Sequence, residues 1–138
     1  MNIMYTAVAH ATGDGRNGRV HSDGEALDLD LRVPKELGGP GGSFANPELL
    51  FAAGYSSCFH SALKLVSARE QADVSNSEVS ATVGIGAAGT GFGLAVDLDV
   101  HIPNVDDATA EHLAGLAHEV CPYSNATRGN IDVTLRVV

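Results

Sequence analysis

Two long alternating runs constrain this chain more than any other feature. Val79, Ala81, Val83 and Ile85 recur at every second position, and Leu94, Val96, Leu98, Val100 and Ile102 do the same. A side-chain period of two places every apolar residue of such a run on one face, which defines a strand with one buried side. Ala87-Ala88-Gly89-Thr90-Gly91 joins the two runs. Leu27, Leu29, Leu31 and Val33 form a third series, alternating with Asp28, Asp30 and Arg32, and Ile131, Val133, Leu135 and Val137 form a fourth. Weaker strand signals cover residues 5–10 and 19–22, and Asp23-Gly24 marks a hairpin after the latter.

Two segments read as helices. Asn46 suits an N-cap and Pro47 the first helical position, so a helix is expected from there to about Glu70. On its wheel Ser56, His60, Lys64 and Ser67 share a solvent arc, with Cys58 roughly opposite, beside Phe51, Gly54, Ala62 and Leu65. Gly54 leaves space one turn before the sulfur, as a pocket floor would. A second helix begins near Asp106-Asp107, carries Leu113, Leu116, Ala117 and Val120 at helical spacing, and ends about Cys121, because Pro122 disfavours helix for its predecessor. Residues 37–43 are too glycine-rich to hold regular structure. They also lack the Lys-Ser/Thr and parallel-strand setting of a phosphate-cradling loop. The order of strands, helix, strands, helix, strand implies a single α+β domain over 1–138 with a largely antiparallel sheet.

Composition narrows the partners. A net charge of −9 with only eight Lys and Arg argues against nucleic acid and gives no reason to expect membrane binding. No apolar stretch reads as reaching the roughly 20 residues of a membrane span. The N-terminus lacks the basic start and long apolar core of a signal peptide, so a cytoplasmic location is expected. In that compartment a disulfide is more often transient and catalytic than a permanent staple. His10, His21, His101, His112 and His118 fit no tetrahedral zinc spacing with the cysteines, so no metal is expected.

The chain has two cysteines, Cys58 and Cys121, too far apart for a CxxC redox motif. They can be buried fillers, a staple, or a peroxidatic and resolving couple. Cys58 lies about three turns into its helix, beyond the reach of the helix dipole, and needs a cation from elsewhere to ionise. Cys121 sits at a helix C-terminus, where the dipole opposes a thiolate, yet it could still resolve a sulfenic acid. If the pair reacts, Cys58 attacks and Cys121 resolves.

The runs NPELLFAAGYSSCF at 46–59 and VCPYSNATRGN at 120–130 resemble the two cysteine motifs of the organic hydroperoxide resistance (Ohr) proteins of the OsmC/Ohr superfamily. Gly15-Arg16-Asn17-Gly18-Arg19, Glu36-Leu37-Gly38-Gly39, Val83-Gly84-Ile85-Gly86 and Gly91-Phe92-Gly93-Leu94 are similar to further parts of that pattern. The resemblance implies an OsmC/Ohr-like α+β fold, with largely antiparallel sheets around two main helices, in an intertwined homodimer. It implies a thiol peroxidase in which Cys58 attacks an organic hydroperoxide and Cys121 closes a disulfide. Arg16 and Glu48 would form a pair beside the thiolate. Phe51, Tyr55 and Phe59 would line an apolar substrate pocket. No bound cofactor is implied; the reductant is an external dithiol, a lipoylated protein or dihydrolipoamide.

The physics suits these roles. Arg16 would stabilise thiolate and departing alkoxide, and Glu48 would fix the guanidinium plane, which a lysine lacks. Ten residues of unbroken helix would nonetheless separate Glu48 from Cys58 by about 15 Å, so Arg16 must bridge part of that gap or the helix must bend near Gly54. Asp14 stands where the family commonly has glycine, and His60 replaces a usually apolar residue and is expected to be solvated. Alternatives from other classes are a hydrophobic-ligand-binding module, a redox sensor, or a peroxidase of the OsmC branch.

Overall fold

The computed structural model describes Met1–Val138. The sequence reading gives one domain over this span; within it the chain forms two compact units, Met1–Leu50 and Phe51–Val138.

In the first unit β1 (Ala9–Thr12), β2 (Arg19–Ser22) and β3 (Asp28–Asp30) form an antiparallel sheet in sequence order. A 3-10 turn at Gly15–Asn17 links β1 to β2, and another at Asp23–Glu25 precedes β3. Residues 5–8, expected in a strand, have no regular structure and are exposed. The Leu27 series keeps its alternation in burial as far as Leu31 and loses it at Arg32 and Val33, and only Asp28–Asp30 is strand. Leu31 makes an isolated parallel bridge to Ala45 instead, and its N–H donates to the Gly18 carbonyl.

Helix α1 (Pro47–Arg69) starts where the capping chemistry dictates: the Asn46 side-chain oxygen accepts the Leu49 N–H at 2.8 Å. It continues as helix past Gly54 without a break. At 23 residues it is long and apolar enough, by length and composition, to cross a membrane, contrary to the sequence expectation. Here it serves as the core helix, burying Tyr55, Phe59, Ala62, Leu63, Val66 and Ser67. The wheel expected Ser67 outside and Leu65 inside; the structure reverses both, with Leu65 48% exposed and Ser67 buried. α1 is apolar around most of its circumference, so its own pattern only weakly specifies which side packs.

In the second unit β4 (Glu78–Ala88) and β5 (Gly91–His101) form the long antiparallel hairpin of the alternating runs, closed by Gly89-Thr90 with Gly89 at φ +57°. α2 (Asp107–Val120) is capped by Asp106, whose carboxylate accepts the Thr109 N–H at 2.7 Å. A short α3 (Pro122–Thr127) follows, and β6 (Asp132–Val137) pairs with β5 in parallel. A parallel neighbour requires a crossover, which α2 and α3 supply. One face of β5, Val96, Leu98 and Val100, is buried in a single cluster with Tyr55, Phe59, Leu63, Leu113 and Ala117. Asp97 and Asp99 point the other way and pair with Arg136 of β6.

Candidate active site

Cys121 occupies the junction of two helices. It is the C-cap of α2 and the N-cap of α3, with extended backbone (φ −63°, ψ 124°). Its N–H donates to Ala117 and its carbonyl accepts the Asn125 N–H, while Pro122 takes the first position of α3, where no N–H is needed. Arg128 braces the corner by donating to the His118 carbonyl at the end of α2 and, at 2.8 Å, to the Asn125 side chain. The chain turn therefore seals Cys121 completely from solvent and points its thiol at Cys58. The sulfurs are 3.8 Å apart, both as free thiols.

Cys58 is partly buried and packs against the core cluster. Burial pushes its thiol above the ordinary cysteine range; the Tyr123 backbone N–H opposes this, and the Cys121 thiol beside it adds to the rise. The thiol form therefore prevails near neutral pH in this conformation.

Gly54 plays a different part from the one expected. A Cβ there would meet the Tyr123 hydroxyl at 2.9 Å and its ring carbons at 3.1 and 3.3 Å, so the missing side chain admits the Tyr123 ring instead of leaving an open pocket floor. Phe51, Tyr55 and Tyr123 form an aromatic group with ring centroids 5.8–6.2 Å apart. Of the three expected lining residues, Tyr55 and Phe59 have no accessible surface and belong to the core; only Phe51 is partly exposed. Tyr123, absent from the expected set, is 39% exposed beside the thiols. The tyrosine directly after Cys121-Pro122 was the available signal. His60 is half-buried and bonded to Ser77 at 3.0 Å, not freely solvated.

Arg16 and Glu48 meet within the first unit. The guanidinium Nη1 and Nη2 donate to the two carboxylate oxygens at 2.8 and 2.7 Å, in the fork-to-fork geometry open to arginine and not to lysine. Glu48 sits in the first turn of α1, and Arg16 in the Gly15–Asn17 turn, which Asn17 pins by accepting the Val33 N–H at 3.0 Å. The hydrogen bond from Arg16 holds the Glu48 carboxyl below its ordinary range, against a smaller opposing effect of burial. The Asp14 side chain makes no capping bond to this turn. The predicted catalytic residues thus assemble as two pairs, one in each unit: Arg16 with Glu48, and Cys58 with Cys121. No three His, Cys, Asp or Glu side chains are grouped as a metal ion would need.

An α+β fold carrying two facing thiols on a long core helix and a following helix corner defines a recognisable class. A family model described as OsmC-like protein matches residues 39–136, and the chain belongs to that family, within the OsmC/Ohr superfamily. Among curated relatives it is 52% identical to the Organic hydroperoxide resistance protein of Xanthomonas axonopodis pv. citri (strain 306), over 96% of this chain and 94% of that one. It is 45% identical to the Organic hydroperoxide resistance protein OhrA of Bacillus subtilis (strain 168), over 97% and 96%. The crystal structure of an organic hydroperoxide resistance protein from Elizabethkingia anophelis superposes with a TM-score of 0.94 at 53% identity, covering 99% of this chain and 98% of that one.

Proposed function

We propose that this chain is a thiol-dependent peroxidase that reduces organic hydroperoxides, of the alkyl and fatty-acid type, to alcohols. The observation that carries the reading is the approach of two free thiols to 3.8 Å in a chain with no other cysteine. The names of its relatives, organic hydroperoxide resistance proteins, point to the same substrate class. The Cys58 thiolate attacks the terminal oxygen of ROOH. The O–O bond breaks, RO⁻ leaves and takes up a proton, and Cys58 becomes a sulfenic acid. The Cys121 sulfur then attacks the Cys58 sulfur, water leaves, and a disulfide forms. An external dithiol of the dihydrolipoyl type reduces it in two exchange steps and is itself oxidised to a cyclic disulfide.

Burial opposes the first step by favouring the neutral thiol, so a cation must lower the barrier. The role of Arg16, held in plane by Glu48, is proposed on the strength of the resemblance. Phe51 and Tyr123, the partly exposed rings of the aromatic group, are the side chains through which an apolar peroxide would be preferred over hydrogen peroxide. We also propose a homodimer. Met4, Tyr5 and Phe92 are 95%, 84% and 79% exposed, surface that a second copy would cover. Its test is the mass in solution, expected at twice the 14.2 kDa chain.

The function is tested by thiol titration before and after one equivalent of tert-butyl hydroperoxide. Loss of two thiols per chain is expected, and none in Cys58→Ser. If both thiols survive in the unsubstituted protein, the peroxidase reading falls. Turnover with dihydrolipoamide, compared with glutathione and thioredoxin, identifies the class of reductant.

A further inference from the structure

Around the Cys121 corner lies a closed set of polar side chains that neither thiol uses. Tyr55 and Ser124 have no accessible surface and Thr127 is 4% exposed. The Tyr55 hydroxyl is 2.9 Å from Ser124 Oγ and 3.1 Å from Thr127 Oγ1. Thr127 Oγ1 donates to the Ser124 carbonyl at 3.2 Å, and His118 Nδ1 is 2.8 Å from Ser124 Oγ. Four contacts are shared among three hydroxyls with one proton each and one ring nitrogen.

Only one proton arrangement satisfies all four. The Thr127 proton must go to the Ser124 carbonyl, since a carbonyl cannot donate. The Tyr55–Thr127 contact therefore takes the Tyr55 proton, and the Tyr55–Ser124 contact takes the Ser124 proton. Ser124 Oγ has then spent its proton and must accept from His118 Nδ1–H. Burial, with a smaller contribution from the nearby Arg128 charge, holds His118 below the ordinary imidazole range. The ring is thus neutral at pH 7, with its proton on Nδ1.

The chain of bonds runs from α2 (His118) through α3 (Ser124, Thr127) to α1 (Tyr55); His118 and Ser124 stand three residues to either side of Cys121, and Thr127 one further turn along. It ties the segment bearing the second thiol to the helix bearing the first. Resting on the thiol peroxidase reading, we infer that His118, Ser124, Thr127 and Tyr55 are positioning residues for the resolving step: their directed hydrogen-bond chain holds the Cys121 sulfur in line with Cys58, so that the disulfide closes before the sulfenic acid is lost to over-oxidation. None of the four touches the reacting sulfurs through these bonds; they act by fixing the corner.

The experiment measures disulfide closure with two oxidants. Tert-butyl hydroperoxide, with dimedone present to trap sulfenic acid, follows the full sequence by mass spectrometry. Diamide closes the same disulfide without peroxide chemistry, because its N=N bond takes up the two electrons and two protons of the thiols. Tyr55→Phe and Thr127→Val each remove one hydroxyl and keep the side-chain volume, while Thr127→Ser keeps the hydroxyl. Losing one bond of a buried chain, about 1 kcal/mol, corresponds to closure slowed roughly fivefold in Tyr55→Phe and Thr127→Val. Dimedone adduct should accumulate at Cys58 in these variants, and Thr127→Ser should close at close to the unsubstituted rate. If both hydroxyl-deletion variants close as fast as the unsubstituted protein with either oxidant, the inference is wrong. Peroxide inertness with normal diamide closure would instead overturn the peroxidase reading alone. A measurement on the unsubstituted protein stands apart from any folding defect: ¹⁵N shifts of His118 should report the Nδ1–H tautomer at pH 7, and the Nε2–H tautomer would break the chain of bonds and the inference with it.

Discussion

Oxidation of the thiol pair should stabilise the second unit by an amount set by the chain it closes. Cys58 and Cys121 are 63 positions apart, and the loop-entropy relation for a cross-link of that span gives about 4 kcal/mol at 25 °C. The sulfurs start at 3.8 Å and must approach by roughly 1.8 Å to reach bonding distance. A side-chain torsion displaced from its well to supply that movement costs about 1 kcal/mol. The net gain of about 3 kcal/mol translates, for a chain of this size, into a rise of about 10 °C in Tm. Thermal unfolding of diamide-oxidised and dithiothreitol-reduced protein at one concentration measures it, with Cys121→Ser treated identically as the control. An oxidised form that melts no higher than the reduced one, or an equal rise in Cys121→Ser, would refute the reasoning. The first result would mean that the corner cannot close without distorting its surroundings, and the second that the rise does not come from the disulfide.

Further predictions concern packing, capping and pH. Leu98→Ala removes a side chain with no accessible surface and should cost 2–5 kcal/mol, on the order of other buried leucine truncations, whereas Leu65→Ala on the open side of α1 should cost under about 1 kcal/mol; urea midpoints compare them. Asn46→Ala should lower stability by about 1 kcal/mol through loss of the Leu49 cap, and Asn46→Asp should restore most of it in the same assay. Because Arg16 holds the Glu48 carboxyl below its ordinary range, that pair stabilises fully above the usual carboxylate pKa and less as pH falls through the lower folded value. Because burial holds His118 low, protonation favours the unfolded chain, and stability should already decline as pH drops below about 6.5. A pH series of urea midpoints should show both branches, and Glu48→Gln should weaken only the more acidic one, to which Asp28, Asp73 and Asp106, also held low by hydrogen bonds, contribute.

Much of this architecture is local and was therefore readable from residue order. Asn46-Pro47 and Asp106 start helices because their side chains or missing N–H answer needs confined to a single turn. The β4–β5 hairpin follows from two alternating runs around a glycine turn, and the two cysteine motifs were distinctive enough to indicate the family. The buried side of α1 was less legible. Ser67 goes inside and Leu65 outside because the face is chosen by what the helix packs against, the sheet and α2, and not by its own weakly sided pattern.

By itself, then, the sequence determined the two long helices, the β4–β5 hairpin and the fold class, since capping, alternation and motif identity act over a few residues. Only the tertiary structure decided that β6 runs parallel to β5, that Tyr123 fills the space left by Gly54, and that Tyr55 and Phe59 belong to the core. It also set the sulfurs 3.8 Å apart and threaded three buried hydroxyls beside them. The reason is that these relations join residues up to 72 positions apart, and a hydrogen bond or a ring contact depends on where two side chains meet, which no local pattern records.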